Sequence, residues 1–581
     1  MLKDTEKGNL SSSEPSRHSD SASGAVETTT FPEASIWTRF IDSFKPFPVA
    51  EIDPNLSEVE RANIMAAASP LQRSLKSRHI QMISIGGAIG TGLFVGSGSA
   101  LSSGGPASLL IAYFIVGILI FCTVHAMGEL AVTFPVSGSF LQYNTRFISP
   151  SWGFAMAWNY AMQWIVVMPI ELVAASITIQ YWNDTISPAA WVAIFYVVIV
   201  FINFFGVKGY GEAEFVFSFI KVIAVVGFVI LSIVLVAGGG PKHEVIGARY
   251  WHDPGPFNHG FKGLCTVFVT GAFSFSGTEL AGLTAAEAAD PRRTLPRATK
   301  QVFWRITLFY MCSLTMVGFL VAYNDERLLG ASTDAASSPF VIAIKDNGIN
   351  VLPSIMNVVV LVAVLSVGNS GVYASSRTLA SLAQQGFAPK IFGYIDRQGR
   401  PLVGIVCTLL FGLLCFLAAS PQEADIFAWL MALSGLSSIF TWWSICLCHV
   451  RFRKALAVRG RGTDELAFTS AVGVWGSMAG VILNFLVLVS QFWTALYPTG
   501  KSPNASAFFQ AYLTVPVVIV FYFFHAIWRR KEYVLFIRSK DIDIDTGRRD
   551  TDLEILKAEI AEEKAHLRSK PFYYRVYRLW C

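Results

Sequence analysis

Residues Ile80–Ala100 read IQMISIGGAIGTGLFVGSGSA, and this stretch decides how the chain folds. It is apolar and long enough to cross about 30 Å of hydrocarbon as a helix. Yet its middle is Gly86-Gly87-Ala88-Ile89-Gly90-Thr91-Gly92, with Gly96 and Gly98 beyond. A membrane helix cannot show free backbone groups to lipid, so a glycine cluster inside a span places backbone beside a cavity. Close helix packing through small residues is the competing reading. A second interrupted stretch lies further on, Phe273-Ser274-Phe275-Ser276-Gly277-Thr278-Glu279, with Gly282 after it. Interruptions in the first and sixth apolar stretches are what two five-helix inverted repeats give, with a ligand site between them at the bilayer midplane.

Outward from these two stretches, apolar runs of about 20 residues recur. They fall near 80–100, 106–131, 152–179, 188–206, 215–238, 262–286, 301–323, 352–376, 402–420, 426–448, 472–496 and 507–528. The expected fold is an all-α integral membrane protein of twelve transmembrane helices. Repeat one covers about 80–238, repeat two about 262–448, and two further helices cover 472–528. Residues 1–78 are rich in Ser, Thr, Pro and charge and lack an apolar signal-peptide core, so a disordered cytosolic tail is expected there. After the twelve-helix domain, 79–530, a second cytosolic tail runs over 531–581. In it Thr551-Asp-Leu-Glu554 reads as a capping box that opens a short amphipathic helix.

Composition agrees with a bilayer environment: 53% of residues are hydrophobic, 15% are charged, and there are 45 Phe and 15 Trp. A water-soluble surface cannot be built from that. No nucleic acid partner is expected; the net charge of +5 is uninformative on that point, but the placement of the cations is informative. With the N-terminus in the cytosol, the cytosolic loops collect Arg146, Lys208, the Arg292–Lys300 cluster, Arg377, Lys390, Arg397, Arg400 and the Arg451–Arg461 cluster. The opposite loops hold Lys242, Arg249, Lys262, Arg327, Lys345 and Lys501. This obeys the positive-inside rule with an even span count and places both termini in the cytosol. Asn183-Asp-Thr185 and Asn504-Ala-Ser506 are sequons on the outer loops. Seven of the eight cysteines lie in apolar stretches without metal-ligand spacing, which implies small apolar filler and no metal site.

Half-helix N-termini present unpaired amides that suit a carboxylate, and half-helix C-termini present carbonyls that suit a cation, so the paired interruptions suit a zwitterion. A phosphate-binding loop is the rival reading of Gly86–Gly92, but no Lys-Ser/Thr pair follows the glycines and no strand precedes them. Charge within a span is costly and persists for function or with a partner, which singles out Glu171, Lys221 and Glu279. A purely structural Glu–Lys ion pair is the alternative. Glu129, Glu287, His449 and His525 sit at span ends, where snorkelling to water explains them. No Ser/His/Asp, metal or nucleotide constellation sits in the loops, so no catalytic residues and no enzyme are expected.

The motifs carry a resemblance. Arg78-His-Ile-Gln-Met-Ile-Ser-Ile-Gly-Gly-Ala-Ile-Gly-Thr-Gly-Leu-Phe94, Gly104-Gly-Pro-Ala-Ser108, Phe134-Pro-Val-Ser-Gly138 and Gly277-Thr-Glu279 resemble the fungal amino acid permease family of the amino acid/polyamine/organocation superfamily. The runs around Gln163-Trp164, Gly206–Lys221, Tyr250–Pro254, Leu365–Ser370 and Asp541–Arg548 look most like its general amino acid permeases. The resemblance implies a LeuT-like fold and broad import of L-amino acids across the plasma membrane, driven by protons with no other cofactor.

By matching position, the resemblance places Thr91 and Gly92 on the substrate carboxylate. The carbonyls of Ala88, Phe273 and Ser276 fall on the ammonium, with Ile89, Gly90, Ser274 and Gly277 in the same two segments. Phe273 matches an aromatic gate, Glu171 a glutamate near the side-chain pocket, Glu279 a glutamate implicated in proton coupling, and Lys221 a lysine that replaces a sodium ion. Relatives end in Phe-Trp-Cys and are palmitoylated there; this chain ends Leu579-Trp580-Cys581, so membrane lipid attached at Cys581 is implied. Lys3 and Lys7 fall where relatives are ubiquitinated, which implies ubiquitin-ligase and trafficking partners. An amino acid exchanger, a narrower permease and a transporter-like nutrient sensor are the competing functions on the same scaffold.

Overall fold

The computed structural model describes residues 41–47, 58–67, 71, 75–87, 89–183, 185–329, 338–419, 429–430, 434–500, 502–548 and scattered positions between 554 and 572. Ile41–Phe44 belongs to a leading unit, Met1–Phe44, and closes in a turn in which the Phe44 amide donates to the Ile41 carbonyl at 3.2 Å. All that follows concerns the second unit, Lys45–Cys581.

Among the described residues the unit is helical. Its principal helices are α1 (Glu58–Ala67), α2 (Ser77–Gly86), α3 (Ser97–Thr133), α4 (Phe140–Phe147), α5 (Pro150–Gln180), α6 (Pro188–Phe204), α7 (Gly206–Val236) and α8 (Gly260–Phe275). They continue with α9 (Pro291–Arg305), α10 (Ser313–Leu320), α11 (Leu352–Gln384), α12 (Leu402–Gly412), α13 (Ser437–Val458), α14 (Gly473–Leu496), α15 (Ala505–Tyr512) and α16 (Thr514–Trp528). Pro150, Pro188 and Pro291 open their helices, where the missing amide has no partner to lose. Ser149 and Asp290 cap two of them by accepting from the amides of Trp152 (3.3 Å) and Arg293 (3.4 Å).

Seven of the described helices are long and apolar enough to cross a bilayer, or eight if α15 and α16, bent by 64°, form one span. α6 and Leu402–Leu417 are shorter apolar helices. The twelve expected spans therefore do not each appear as one long apolar helix. The first is divided between α2 and a π-helical turn, Gly92–Gly96, that runs into α3, and the tenth falls partly outside the described residues. α5 packs most extensively on α11, and α8 on α3, which puts the core between these four. The outer faces carry Val197 and Phe201 of α6, Phe219 and Ile230 of α7, Phe485 of α14 and Ile527 of α16, all exposed as lipid-facing side chains would be.

Three boundaries differ from expectation. No loop spans 207–214: the chain turns at Gly206 (φ +67°) and α7 starts at once. The seventh helix begins at Pro291 rather than near 301, which takes the Arg292–Lys300 cluster out of the expected loop, and a second π-helical turn, Ile306–Cys312, joins α9 to α10. α11 runs on to Gln384, which takes Arg377 out of the expected loop and buries it. Within α3 the helix breaks at Gly105 (φ 79°, ψ 169°), and on either side of it Asn258 N–H donates to Gly104 O (2.8 Å) and Ala107 N–H to Pro256 O (2.9 Å).

Beyond α16 the chain folds back onto the body. The Ile537 amide donates to Ile148 O (2.9 Å), Arg459 donates to Ile542 O (2.6 Å), and Ile542 and Ile544 are fully buried. Asp543 accepts from Asn63 of α1 (2.9 Å) and stands 3.8 Å from the buried guanidinium of Arg146 in α4. Lys3, Lys7, Thr551 and Cys581 lie outside the described residues.

Candidate functional site

Both glycine-containing segments interrupt their helices. α2 stops at Gly86, and of the described residues that follow, Gly87, Ile89 and Gly90 stand outside any helix before Thr91. α8 stops at Phe275; Ser276 is extended (ψ 142°) and Gly277 takes φ +92°, which an L side chain adopts only with strain. A one-turn helix, Leu280–Leu283, picks the direction up again. The interruptions face each other. A Cβ on Gly277 would stand 2.9 Å from Gly87 O, and one on Gly92 would stand 2.5 Å from the Cα of Ser274. The glycines are thus needed for close approach of backbone to backbone. Ala88 lies outside the described residues.

A cavity of about 20 Å³ opens between them, enough for roughly one water. Its walls are Gly90, Thr91 and Gly92 from the first interruption, Phe273 and Ser276 from the second, Trp164, Val167 and Glu171 from α5, and Val367 from α11. Thr91 donates its hydroxyl to Glu171 across it. At the other wall Gln163 Nε2 donates to Ser276 Oγ (2.9 Å) and Ser438 Oγ (2.7 Å), and Ser438 donates to Ser276 (2.9 Å). The arrangement offers backbone polar groups, one carboxylate and the aromatic side chains of Trp164 and Phe273 around a small volume, the mixture a small polar ligand with an apolar side chain requires.

The structure therefore brings Gly90, Thr91, Gly92, Glu171, Phe273 and Ser276 to one cavity. Ile89 and Gly277 lie beside it in the interrupted segments without lining it. Ser274 also faces elsewhere: its hydroxyl donates to Gly92 O (2.6 Å) and meets Tyr113 Oη (2.7 Å), a tie between the segments.

Glu279 and Lys221 are buried behind the cavity, in separate places. Glu279 accepts from Tyr160 Oη (3.3 Å), Trp442 Nε1 (3.1 Å) and the Gly277 amide (3.3 Å). Lys221 Nζ donates to Gly86 O (2.5 Å), the last carbonyl of α2, and to Ser366 Oγ (2.8 Å). Its carboxylate neighbour is Glu214, 3.6 Å away on the same helix, rather than one of the two glutamates singled out from the sequence. Arg305 was likewise not anticipated. Fully buried, it donates to Ser84 O at the end of α2 and to Thr278 Oγ1 in the second interruption, so it bridges the two. A charge count over the corrected start of α7 would have found Glu214, and one over the expected 301–323 run would have found Arg305.

The snorkelling reading of four other groups fails, because none reaches the surface. Glu129 is buried against His449 Nε2 (3.0 Å) and Arg453 Nε (2.6 Å). Glu287 is buried against Arg377 Nε (3.1 Å) and Tyr373 Oη (2.6 Å), and the Tyr373 ring stacks on Tyr210 at 4.3 Å. His525 Nδ1 meets Ser151 Oγ at 3.1 Å inside a ring of aromatics. Helix packing closes over these ends, and partner charges replace water.

Comparison with known proteins supplies the family. The family model described as "Amino acid permease" matches residues 79–536. The general amino-acid permease GAP2 of Candida albicans is 64% identical over 549 residues, covering 94% of this chain and 93% of that one. The general amino-acid permease GAP1 of Saccharomyces cerevisiae is 58% identical over 564 residues, covering 96% and 94%. Among solved structures, a mutant manganese transporter of Eremococcus coleocola shares the fold at a TM-score of 0.50 and 12% identity, covering 83% of this chain and 97% of that one. With two facing helix interruptions around a polar cavity and a family match over most of its length, this membrane-spanning chain belongs to the amino acid permease family.

Proposed function

We propose that this permease imports L-amino acids across the plasma membrane together with protons, accepts many side chains, and works by alternating access on a LeuT-like 5+5 inverted repeat of twelve spans with cytosolic termini. The observation that carries this is the pair of facing interruptions, which offers amides and carbonyls to the two ends of a zwitterion at one small cavity. Thr91 and Gly92 take the carboxylate. The carbonyls of Ala88, Phe273 and Ser276 take the ammonium, and Glu171 borders the side-chain space. A 20 Å³ cavity is too small for an amino acid, so Phe273 and the Thr91–Glu171 bond move when substrate enters. Two relatives that are themselves named general amino-acid permeases support the broad specificity. Cys581 as a lipid anchor and Lys3 and Lys7 as ubiquitin acceptors belong to the same proposal.

Glu279 carries the coupling proton in this reading. Held by Tyr160, Trp442 and the Gly277 amide, it senses the second interruption directly. Glu279→Gln is expected to abolish acid-stimulated uptake of labelled amino acid and the accompanying proton flux in proteoliposomes. An unchanged proton-to-substrate ratio in that variant rules the role out.

A further inference from the structure

We propose that Glu214 receives a proton from Lys221 through the hydroxyl of Ser366 and releases it to the cytosol, so that these three residues form the exit relay of the transport cycle. The relay rests on the proton coupling and the orientation proposed above.

Glu214 and Lys221 are seven residues apart on α7, close to two full turns, so one helix face carries both. Both side chains are fully buried. Lys221 Nζ donates to Ser366 Oγ at 2.8 Å, and Ser366 Oγ donates to Glu214 Oε1 and Oε2 at 2.6 and 2.8 Å. The hydroxyl thus accepts from the ammonium and donates to the carboxylate, a chain already polarised in the direction of transfer. In the transfer an N–H bond of Lys221 breaks as its proton passes to Ser366 Oγ. The Ser366 O–H proton passes to Glu214 Oε1, which leaves a neutral amine, an intact hydroxyl and a carboxylic acid.

The trigger for transfer is the movement of α2, which covers the pair. Gly86 O is the second acceptor for Lys221, and Met82 O accepts from Ser218 Oγ (3.0 Å), whose hydroxyl lies 3.4 Å from Glu214. Of the described residues that follow α2, Gly87, Ile89 and Gly90 stand outside any helix, and they serve as its pivot. If α2 swings away, Lys221 loses the carbonyl that stabilises its charge, and the same motion opens Glu214 to water. Both effects move the proton outward along α7. Glu214 lies about 10 Å nearer than Lys221 to the Gly206 end, at 1.5 Å per residue. That end is the one near Arg400, which donates to Phe204 O at 3.0 Å.

The other titratable or charged groups facing the pair are Glu171 from α5, within electrostatic reach of Lys221, and Tyr210 one turn below Glu214. His79 of α2 packs against Gly211 and meets the half-exposed Glu212 at 3.1 Å, which marks where water begins. The incoming proton that recharges Lys221 enters from the cavity, which Glu171 lines.

A relay residue is needed for net movement of protons and not for exchange of one amino acid for another across the membrane. Full-length protein in proteoliposomes, with labelled L-alanine as probe, separates the two. Glu214→Gln is expected to lower proton-gradient-driven net uptake by about a hundredfold, the scale of a lost proton-transfer group, while exchange into preloaded vesicles persists. Ser366→Ala, which keeps both charges and removes the bridge, is expected to show the same split at about tenfold, the scale of a lost hydrogen bond. Net uptake and proton flux unchanged in Glu214→Gln overturns the relay, as does loss of exchange in both variants, which assigns the cluster a structural role. A wild-type protein whose uptake ignores the proton gradient overturns proton coupling itself, and the relay with it.

Discussion

Thr91 donates to Glu171 across the cavity, and both residues line it. Thr91→Val keeps the shape and removes the donor, leaving a buried carboxylate short of a partner; the loss is worth about 1.5–3 kcal/mol. Uptake kinetics are expected to show KM raised by about tenfold, with surface expression unchanged; an unaltered KM would take Thr91 out of the site. Glu171, Lys221 and Glu279 were legible in the sequence because a charge in an apolar run stands out. Glu214 and Arg305 were not, for a local reason. Lys208, Glu212 and Glu214 dilute the hydrophobicity of the first two turns of α7, so a search for apolar length starts that helix too late, whereas Arg305 lies inside the expected 301–323 run and is passed over as a charge near its start. Trp164 and Val367 lie in runs that carry the resemblance, but nothing in their own chemistry marks them as cavity walls, since an apolar wall residue reads like any other.

At the scale of elements, the two interruptions could be read in advance because glycine inside a membrane helix needs a reason. The exact contact could not. Gly92→Ala places a Cβ 2.5 Å from the backbone of Ser274, which has nowhere to go, and a cost of about 1–3 kcal/mol is expected. Thermal unfolding of the purified protein should show a lowered Tm together with loss of uptake. The docked segment 537–548 makes a different prediction. Burial works against the charged form of Asp543, but Arg146 and the amides of Thr546 and Asp545 outweigh it and hold the carboxyl below the usual range. A depressed carboxyl contributes stability above its unfolded value, about 3.9, and loses it as pH falls through the lower folded value. The segment is thus fully docked at neutral pH. Asp543→Asn is expected to expose it to limited proteolysis at neutral pH, where the wild type resists cleavage until strong acid; equal cleavage of both proteins at neutral pH would show that the ion pair does not hold it. None of this docking was visible in a stretch that reads as polar tail, because its two buried isoleucines, Ile542 and Ile544, alternate with aspartates.

For the whole molecule, class was decided by composition and by the recurrence of apolar runs, and the family match over residues 79–536 agrees with the family read from the motifs. Span number is harder to read, since helices that bend, pause or carry buried ion pairs no longer look like uniform apolar rods. The Glu129–His449–Arg453 and Glu287–Arg377 clusters each tie distant parts of the chain together at helix ends, a use of charge that sequence distance conceals. The joint at Gly105 has a mechanical consequence. Because one residue separates the two parts of α3, and the backbone on both sides is bonded to Pro256 and Asn258, there is no slack there. The part of the first span that follows Thr91 is yoked to its neighbour and travels with it. In the alternating access proposed above, the swing is then absorbed at the opposite end of the cavity, beyond the last residue of α2, so that α2 is the lever and the rest of the bundle its fulcrum.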